Sequence, residues 1–182
     1  MLDFIGRWTS DVIRLTLALV LAILIMQLPA ITNDYTAALL QVSNATRHDI
    51  DQREDSARVY YHFNAATDQA LINDLKAREP SNAAALEESL QQLDTLKVAY
   101  NRITSAPALL QPPIALADVL NDRRSYKVQI FRTALMTHEV QIALTAAAAI
   151  YGFVGLMIGS FLAHLLVSCG AWATRRYRPG YL

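Results

Sequence analysis

The segment YGFVGLMIGSFLAHLLVSCGAW, residues 151–172, decides the fold of this chain. It lies within residues 142–173, a stretch of 32 residues that contains no Asp, Glu, Lys or Arg. At about 1.5 Å per residue, a helix from Tyr151 to Trp172 covers the roughly 30 Å of bilayer hydrocarbon and places an aromatic ring at each interface. Residues 142–173 are therefore predicted to form a transmembrane helix with an apolar lead-in.

A second apolar stretch lies near the N-terminus. Residues 12–31 reach the roughly 20 residues that a spanning helix needs, if Arg14 extends its side chain to the membrane surface. Pro29 is expected to interrupt the helix where it leaves the bilayer. The alternative is a cleaved secretion signal, but residues 28–30, Leu-Pro-Ala, match the small-residue cleavage pattern poorly. We therefore predict a retained transmembrane helix over residues 12–31.

The arginines that flank the two spans predict their orientation. Five lie on the outer flanks, whereas Arg132 is the only basic residue of the central segment close to a span; the five are Arg7, Arg14, Arg175, Arg176 and Arg178. By the positive-inside rule, residues 1–11 and 174–182 are cytoplasmic and residues 32–141 periplasmic, in a bacterial inner membrane. A wider window removes the bias, because it adds Arg47, Arg123, Arg124 and Lys127.

The central segment is predicted to be helical because it lacks glycine. No glycine occurs between Gly6 and Gly152, so turns that need a positive φ should be almost absent. Prolines divide the segment into three predicted helices: residues 33–78, residues 81–103, and a third from about residue 114 that continues into the second span. Residues 46–55, TRHDIDQRED, contain a single apolar residue and are the expected place for a bend.

Each predicted helix has an apolar stripe. The stripe of the second helix comprises Leu86, Leu90, Leu93, Leu96, Tyr100 and Ile103. The first helix offers Tyr60, Phe63, Thr67, Leu71 and Leu75, and the third offers Val128, Phe131, Leu135 and Ile142, with Ile130 and Ala134 alongside. These stripes predict an all-α membrane protein in which two transmembrane helices flank an extramembrane helical hairpin or three- to four-helix bundle.

The second span has a face of small residues and, beside it, a polar row. The small residues form a predicted helix–helix interface: Ala148, Gly152, Gly155, Gly159 and Ala163. Three partners remain open for this face: another copy, a foreign subunit, or the first span with its Ala18 and Ala22. The polar row, a candidate intramembrane contact, is Ser160, His164 and Ser168. His164 could serve as a haem ligand or proton relay, but a hydrogen bond to a neighbouring helix is favoured.

Several histidines and carboxylates outside the second span could bind a metal or transfer protons. His48, Asp51 and Asp55 share a helix face and could ligate a metal, but a solvated face paired with Arg47 and Arg58 is favoured. His138-Glu139 is favoured as a helix-surface pair, and His62 as a surface histidine. The sequence contains no Gly-rich phosphate loop and no HExxH motif, and Cys169 is the only cysteine. We therefore predict no catalytic, cofactor or metal site.

The charge balance restricts the partners. The chain has 16 basic and 16 acidic residues, without the basic excess of a nucleic-acid-binding protein. The expected partners are membrane lipid and either a second copy of the chain or another membrane protein subunit.

Several of these features together resemble a known family. They are Gln27-Leu28-Pro29 at the end of the first span, Tyr35 just beyond it, and Thr137-His138-Glu139 before a glycine-spaced final span. The chain resembles an uncharacterised bacterial two-span membrane family catalogued only as a domain of unknown function. The resemblance implies the two-span layout and brings no activity, cofactor or catalytic residue.

Two functions follow from these features. The first is a non-enzymatic membrane interaction or structural protein, a homo-oligomer or accessory subunit that assembles through the small-residue face and the periplasmic bundle. The alternative is a ligand-sensing periplasmic bundle, because two spans flanking a helical domain resemble the input half of a receptor. About ten residues follow the second span, so such a sensor would lack its own output domain.

Overall fold

The computed structural model describes residues 2–65, 67–122, 126–139 and 145–176, except for the side chains of residues 2–7 and 169–176. Within these residues the chain is entirely helical and contains no strand. The helices are α1 (Leu2–Met26), α2 (Leu28–Tyr61), α3 (Asp68–Arg78), α4 (Pro80–Thr104), α5 (Gln111–Leu120), α6 (Tyr126–Thr137) and α7 (Ala146–Arg176). The predicted all-α class, with two candidate membrane-spanning helices, is confirmed.

The chain forms two compact units, residues 1–30 with 139–182, and residues 31–138. In the first unit α1 and α7 pack against each other. Among the described residues, two helical stretches contain a window that is long and apolar enough to cross a membrane: Trp8–Tyr61, which contains most of α1, and Ala146–Ser168 in α7. Large apolar side chains such as Phe153 and Phe161 are exposed on α7.

Gln27 interrupts the helix between α1 and α2. Pro29 explains this interruption, because proline has no N–H to donate to a carbonyl of the preceding turn. As the second residue of α2 it is tolerated, since the first N–H groups of a helix have no intrahelical acceptor.

The second unit has two clusters of buried residues along α2 and α4. The first also contains residues of α5 and α6, and comprises Tyr35, Leu39, Leu96, Ala99, Ile103, Ala115, Val119 and Ala134. The second also contains residues of α3, and comprises Ile50, Ala57, Leu71, Ile72, Leu75, Ala83, Leu86 and Leu93. The apolar stripe predicted for the second helix is confirmed: four of its members are buried, and Leu90 and Tyr100 are partly buried.

The bend predicted at residues 46–55 is wrong, because α2 continues to Tyr61. Ion pairs at i,i+4 spacing stabilise the helix there: Arg47 to Asp51 at 2.7 Å and Arg53 to Asp49 at 2.9 Å. The helix instead ends before His62, whose φ of 55° is the only positive value among the described non-glycine residues. Tyr60 was predicted to be part of the apolar stripe. It is exposed, and it lies at the end of α2.

The continuous third helix is also wrong, because α5, α6 and α7 are separate. A carboxylate oxygen of Asp122 accepts hydrogen bonds from the N–H groups of Lys127 at 2.7 Å and Val128 at 3.4 Å, and so caps the start of α6. Thr145 caps α7 by accepting from the N–H of Ala148 at 3.1 Å. Of the predicted stripe, Ala134 is buried but Val128 and Leu135 are exposed, and Ile142 lies outside the described residues.

Candidate functional site

The small-residue face of α7 lies directly on the backbone of α1. A β-carbon added to Gly155 would lie 2.8 Å from the Cα of Ala22 and 3.0 Å from the carbonyl oxygen of Leu21. A β-carbon added to Gly159 would lie 2.8 Å from the Cα of Ala18. Real β-carbons do not approach other atoms so closely, so only glycine permits this contact at both positions.

The contact extends beyond these two glycines. Ala148 and Ala163 are almost completely buried, as is Ala18 on α1. Gly152 has more space, since its added β-carbon would meet the flexible side chain of Met26 at 3.4 Å. Of the three partners that the sequence left open, the first span of the same chain occupies this face. A second copy or a foreign subunit could contact these glycines only if it displaced α1.

The polar row of α7 lies away from α1. Ser160, His164 and Ser168 are all exposed, whereas Gly155, Gly159 and Ala163 are buried against α1. Among the described residues, none of the three polar side chains has a hydrogen-bond or ionic partner. The hydrogen bond expected between His164 and a neighbouring helix is thus not supplied by the first span.

The candidate metal ligands of α2 are engaged with arginines. Asp51 pairs with Arg47 at 2.7 Å, and Asp55 with Arg58 at 3.5 Å, while His48 is exposed. In the described part of the chain, no three His, Cys, Asp or Glu residues are close enough to hold a metal ion.

His138 makes a contact that the sequence did not indicate. Its Nδ1 lies 2.6 Å from a carboxylate oxygen of Asp34, and its side chain is only 8% exposed. It is therefore not the surface residue that we predicted, because α6 ends at Thr137 and His138 turns toward the start of α2. Glu139 is exposed. Local sequence carries no signal for a pair that is 104 residues apart.

Asp118 is at the centre of a buried polar cluster that sequence reasoning missed. One of its carboxylate oxygens lies 2.8 Å from the ammonium of Lys127 and 3.3 Å from the guanidinium of Arg102. The nearby Tyr35 is completely buried, and burial together with the carboxylates of Asp118 and Asp122 raises its pKa well above the usual range. A lone carboxylate in the apolar stretch IALADVL, residues 114–120, is the signal that could have identified this cluster.

Glu54 is a second buried acid. It is 2% exposed and one of its carboxylate oxygens has no hydrogen-bond partner, while the other lies 3.4 Å from the guanidinium of Arg58. Burial, reinforced by the nearby charge of Asp68, raises the pKa of Glu54.

An open groove of about 960 Å³ lies between the end of α2 and the α3–α4 junction. It is lined by Asp49, Gln52, Arg53, Asp55, Ser56, Ala57, Val59, Tyr60, Tyr61, Glu79 and Asn82. Glu79 accepts hydrogen bonds from the Tyr61 hydroxyl and from the Asn82 amide, and these hydrogen bonds lower its pKa.

The Arg78 guanidinium lies near the groove, 5.5 Å from the ring centres of both Tyr61 and Phe63. The sequence predicts His62 here as a surface histidine, and Tyr60 and Phe63 as members of an apolar stripe.

The fold and the small-residue interface define an all-α protein with two candidate membrane-spanning helices packed against each other and a separate helical domain. The chain belongs to the family described as Protein of unknown function (DUF2937), whose model matches residues 10–176. The expected membership of an uncharacterised family is thus confirmed. No curated protein and no solved structure matches the chain.

Proposed function

We propose that this protein is a non-enzymatic bacterial inner-membrane protein, a homo-oligomer or an accessory subunit of a membrane complex. Its two spans form one intrachain anchor, and its helical domain is held outside the membrane. The observation that supports the anchor is the backbone contact of Gly155 and Gly159 with Ala22 and Ala18 of the same chain. Such close contact is typical of helices that associate inside a bilayer, where van der Waals packing drives association.

This contact also supports retention of the first span. If the chain were cut after Ala30, α7 would lose the helix that covers its glycines, and a groove shaped for a helix would be left open. Intact-mass measurement of the protein purified from its membrane tests this directly. A mature N-terminus near residue 31 would contradict the anchor.

The proposed topology places both termini in the cytoplasm and residues 32–141 in the periplasm, as the flanking arginines predict. The test uses single cysteines at Ser89 and Thr174 in a Cys169→Ala background, treated with an impermeant thiol reagent in spheroplasts. We expect labelling at position 89 only until the membrane is permeabilised. Labelling at position 174 alone would reverse the topology.

The role as a subunit is tested by the mass of the intact complex. Purification of the full chain from native membranes in mild detergent should give a particle heavier than one copy of 20.2 kDa after correction for detergent and lipid. Chain masses within that particle distinguish a homo-oligomer from an accessory subunit. A particle that contains one copy alone would contradict both.

The groove at the α3–α4 junction favours ligand sensing as the second candidate. Its volume of about 960 Å³ suits a small molecule, and its lining combines carboxylates, a guanidinium and tyrosines. Native mass spectrometry of the purified chain should then reveal a bound small molecule that a Tyr60→Ala, Asn82→Ala variant loses. The matched control is Ala84→Ser, an exposed position on α4 outside this groove.

A further inference from the structure

We propose that the polar face of α7, defined by Ser160, His164 and Ser168, is the surface through which two copies of this chain associate in the membrane. The inference deepens the proposed function and rests on it, because it requires α1 and α7 to cross a bilayer. It replaces the small-residue face as the intermolecular surface, since α1 of the same chain already covers that face.

The position of the three side chains is the first argument. They lie one helical turn apart, so they form a continuous row on α7. All three are exposed, and α1 packs on another side of the helix. His164 lies well inside the stretch without charged residues, so in a bilayer its ring is surrounded by lipid unless another helix covers it.

The energetic argument concerns the imidazole. A serine hydroxyl in a helix can donate to a carbonyl of its own preceding turn, so Ser160 and Ser168 need no partner. The imidazole of His164 has no described partner on α1 or α7, and polar groups in hydrocarbon that lack hydrogen bonds are costly. A hydrogen bond across a helix interface removes that cost, so contact with another helix at this face is favourable.

Self-complementarity identifies a second copy as the occupant. A two-fold axis along the membrane normal places each residue at the same depth as its equivalent in the other copy. A neutral imidazole has one donor and one acceptor, so His164 can hydrogen-bond the His164 of a second copy. A foreign helix would have to supply a matching polar group at the same depth. In a second copy the symmetry-related His164 is that group.

The neighbours of His164 fit a close helix pair. Ser160 and Ser168, one turn on either side, are small enough to let two backbones approach. Met157 and Phe161 lie beside the row and are 61% and 63% exposed, so they supply apolar surface for the same contact.

Disulfide cross-linking tests the surface. Single cysteines replace Ser160 or Ser168 in a Cys169→Ala background, and the full chain is reconstituted in phosphatidylethanolamine–phosphatidylglycerol vesicles. Matched controls are Ile158→Cys and Leu165→Cys, which are exposed on another side of α7 at similar depths. We expect oxidation to give dimers at positions 160 and 168 and little at 158 and 165.

Association is measured by energy transfer between copies labelled at Ser89→Cys, again in the Cys169→Ala background. His164→Leu should weaken association by about 5- to 30-fold, which corresponds to loss of one interhelical polar contact. His164→Gln keeps a donor and an acceptor and should retain association. The double variant His164→Leu, Leu165→His keeps composition and depth but turns the imidazole about 100° around the helix, and should associate as weakly as His164→Leu.

Equal cross-linking at all four positions would overturn the proposal, as would unchanged association of His164→Leu. Association retained by the double variant would also overturn it, because a histidine on any face would then suffice. Helicity measured by circular dichroism shows that each variant is folded. These outcomes are separate from failure of the proposed function, which would appear as release of the wild-type chain from membranes by alkaline carbonate.

Discussion

A β-carbon built on Gly159 would lie 2.8 Å from the Cα of Ala18 and 3.0 Å from its carbonyl oxygen. The atoms it would meet are backbone atoms, which cannot rotate out of the way as a side chain can. Helices α1 and α7 therefore remain in register only while position 159 has no side chain. The same relationship holds between Gly155 and Ala22.

Substitution of Gly159 should separate α1 from α7. We expect Gly159→Ala to lower the stability of the helix pair by about 1–3 kcal/mol, the usual cost of overpacking. Thermal unfolding of the full chain in detergent, followed by circular dichroism, measures the effect. Gly152→Ala is the matched control, because its β-carbon would meet only Met26 at 3.4 Å or more. Equal loss in both variants would contradict this reading of the interface.

Removal of Lys127 should destabilise the helical domain through Asp118. Lys127→Met leaves a carboxylate that is 2% exposed and removes the closer of its two ion pairs, so we expect a loss of about 3 kcal/mol. Arg102→Gln, at a side chain that is 56% exposed, should cost below about 1 kcal/mol. Denaturant titration of the full chain in detergent compares them. If both variants lowered the stability equally, the ion pair between Asp118 and Lys127 would not be more important to the domain than the one with Arg102.

Replacement of Glu54 should change how stability depends on pH. Because burial raises the pKa of Glu54 above its ordinary value, the folded protein binds this proton more tightly than the unfolded chain. The contribution of Glu54 is therefore most favourable below the unfolded pKa and is lost as pH rises through the folded value.

Glu54→Gln should consequently be the more stable protein at pH 7, and its advantage should disappear below about pH 4. Thermal unfolding of both proteins from pH 3.5 to 8 provides the measurement. Asp55→Asn, on the same helix but exposed, serves as the control. A difference between Glu54→Gln and wild type that does not vary with pH would contradict the argument.

His62 ends α2 in a left-handed conformation, with φ at 55°. A β-branched residue is strained there, so His62→Val should cost about 1–2 kcal/mol, whereas His62→Gly should not destabilise the domain. Unfolding of the three proteins in detergent decides this. If His62→Gly lost as much stability as His62→Val, the histidine ring and not the backbone conformation would be important.

Local patterns in the sequence determined much of this protein. The apolar stretches at residues 12–31 and 142–173 and a central segment without glycine are sufficient to predict two apolar helices around a helical domain. The 3–4 spacing of leucines in α4 identified buried residues, because that spacing places side chains on one face of any α-helix. Glycines at helical spacing likewise identified the face of α7 that permits close contact.

Only the tertiary structure determined which helix faces pack against each other. Small residues accept any close helix, so the choice of Ala18 and Ala22 for the glycine face depended on how α1 and α7 pack. Residues 46–55 resemble a bend in composition, but their ion pairs and the buried Ile50 hold them in α2.

The polar contacts between helices could not be predicted from local sequence either. The pair between Asp34 and His138 and the pair between Asp118 and Lys127 join different helices or helix ends, and no i,i+4 rule reports them. Periodicity fixes which face of a helix is apolar, because it depends on neighbours along the chain. The partner of that face depends on residues far away in sequence, which only folding brings together.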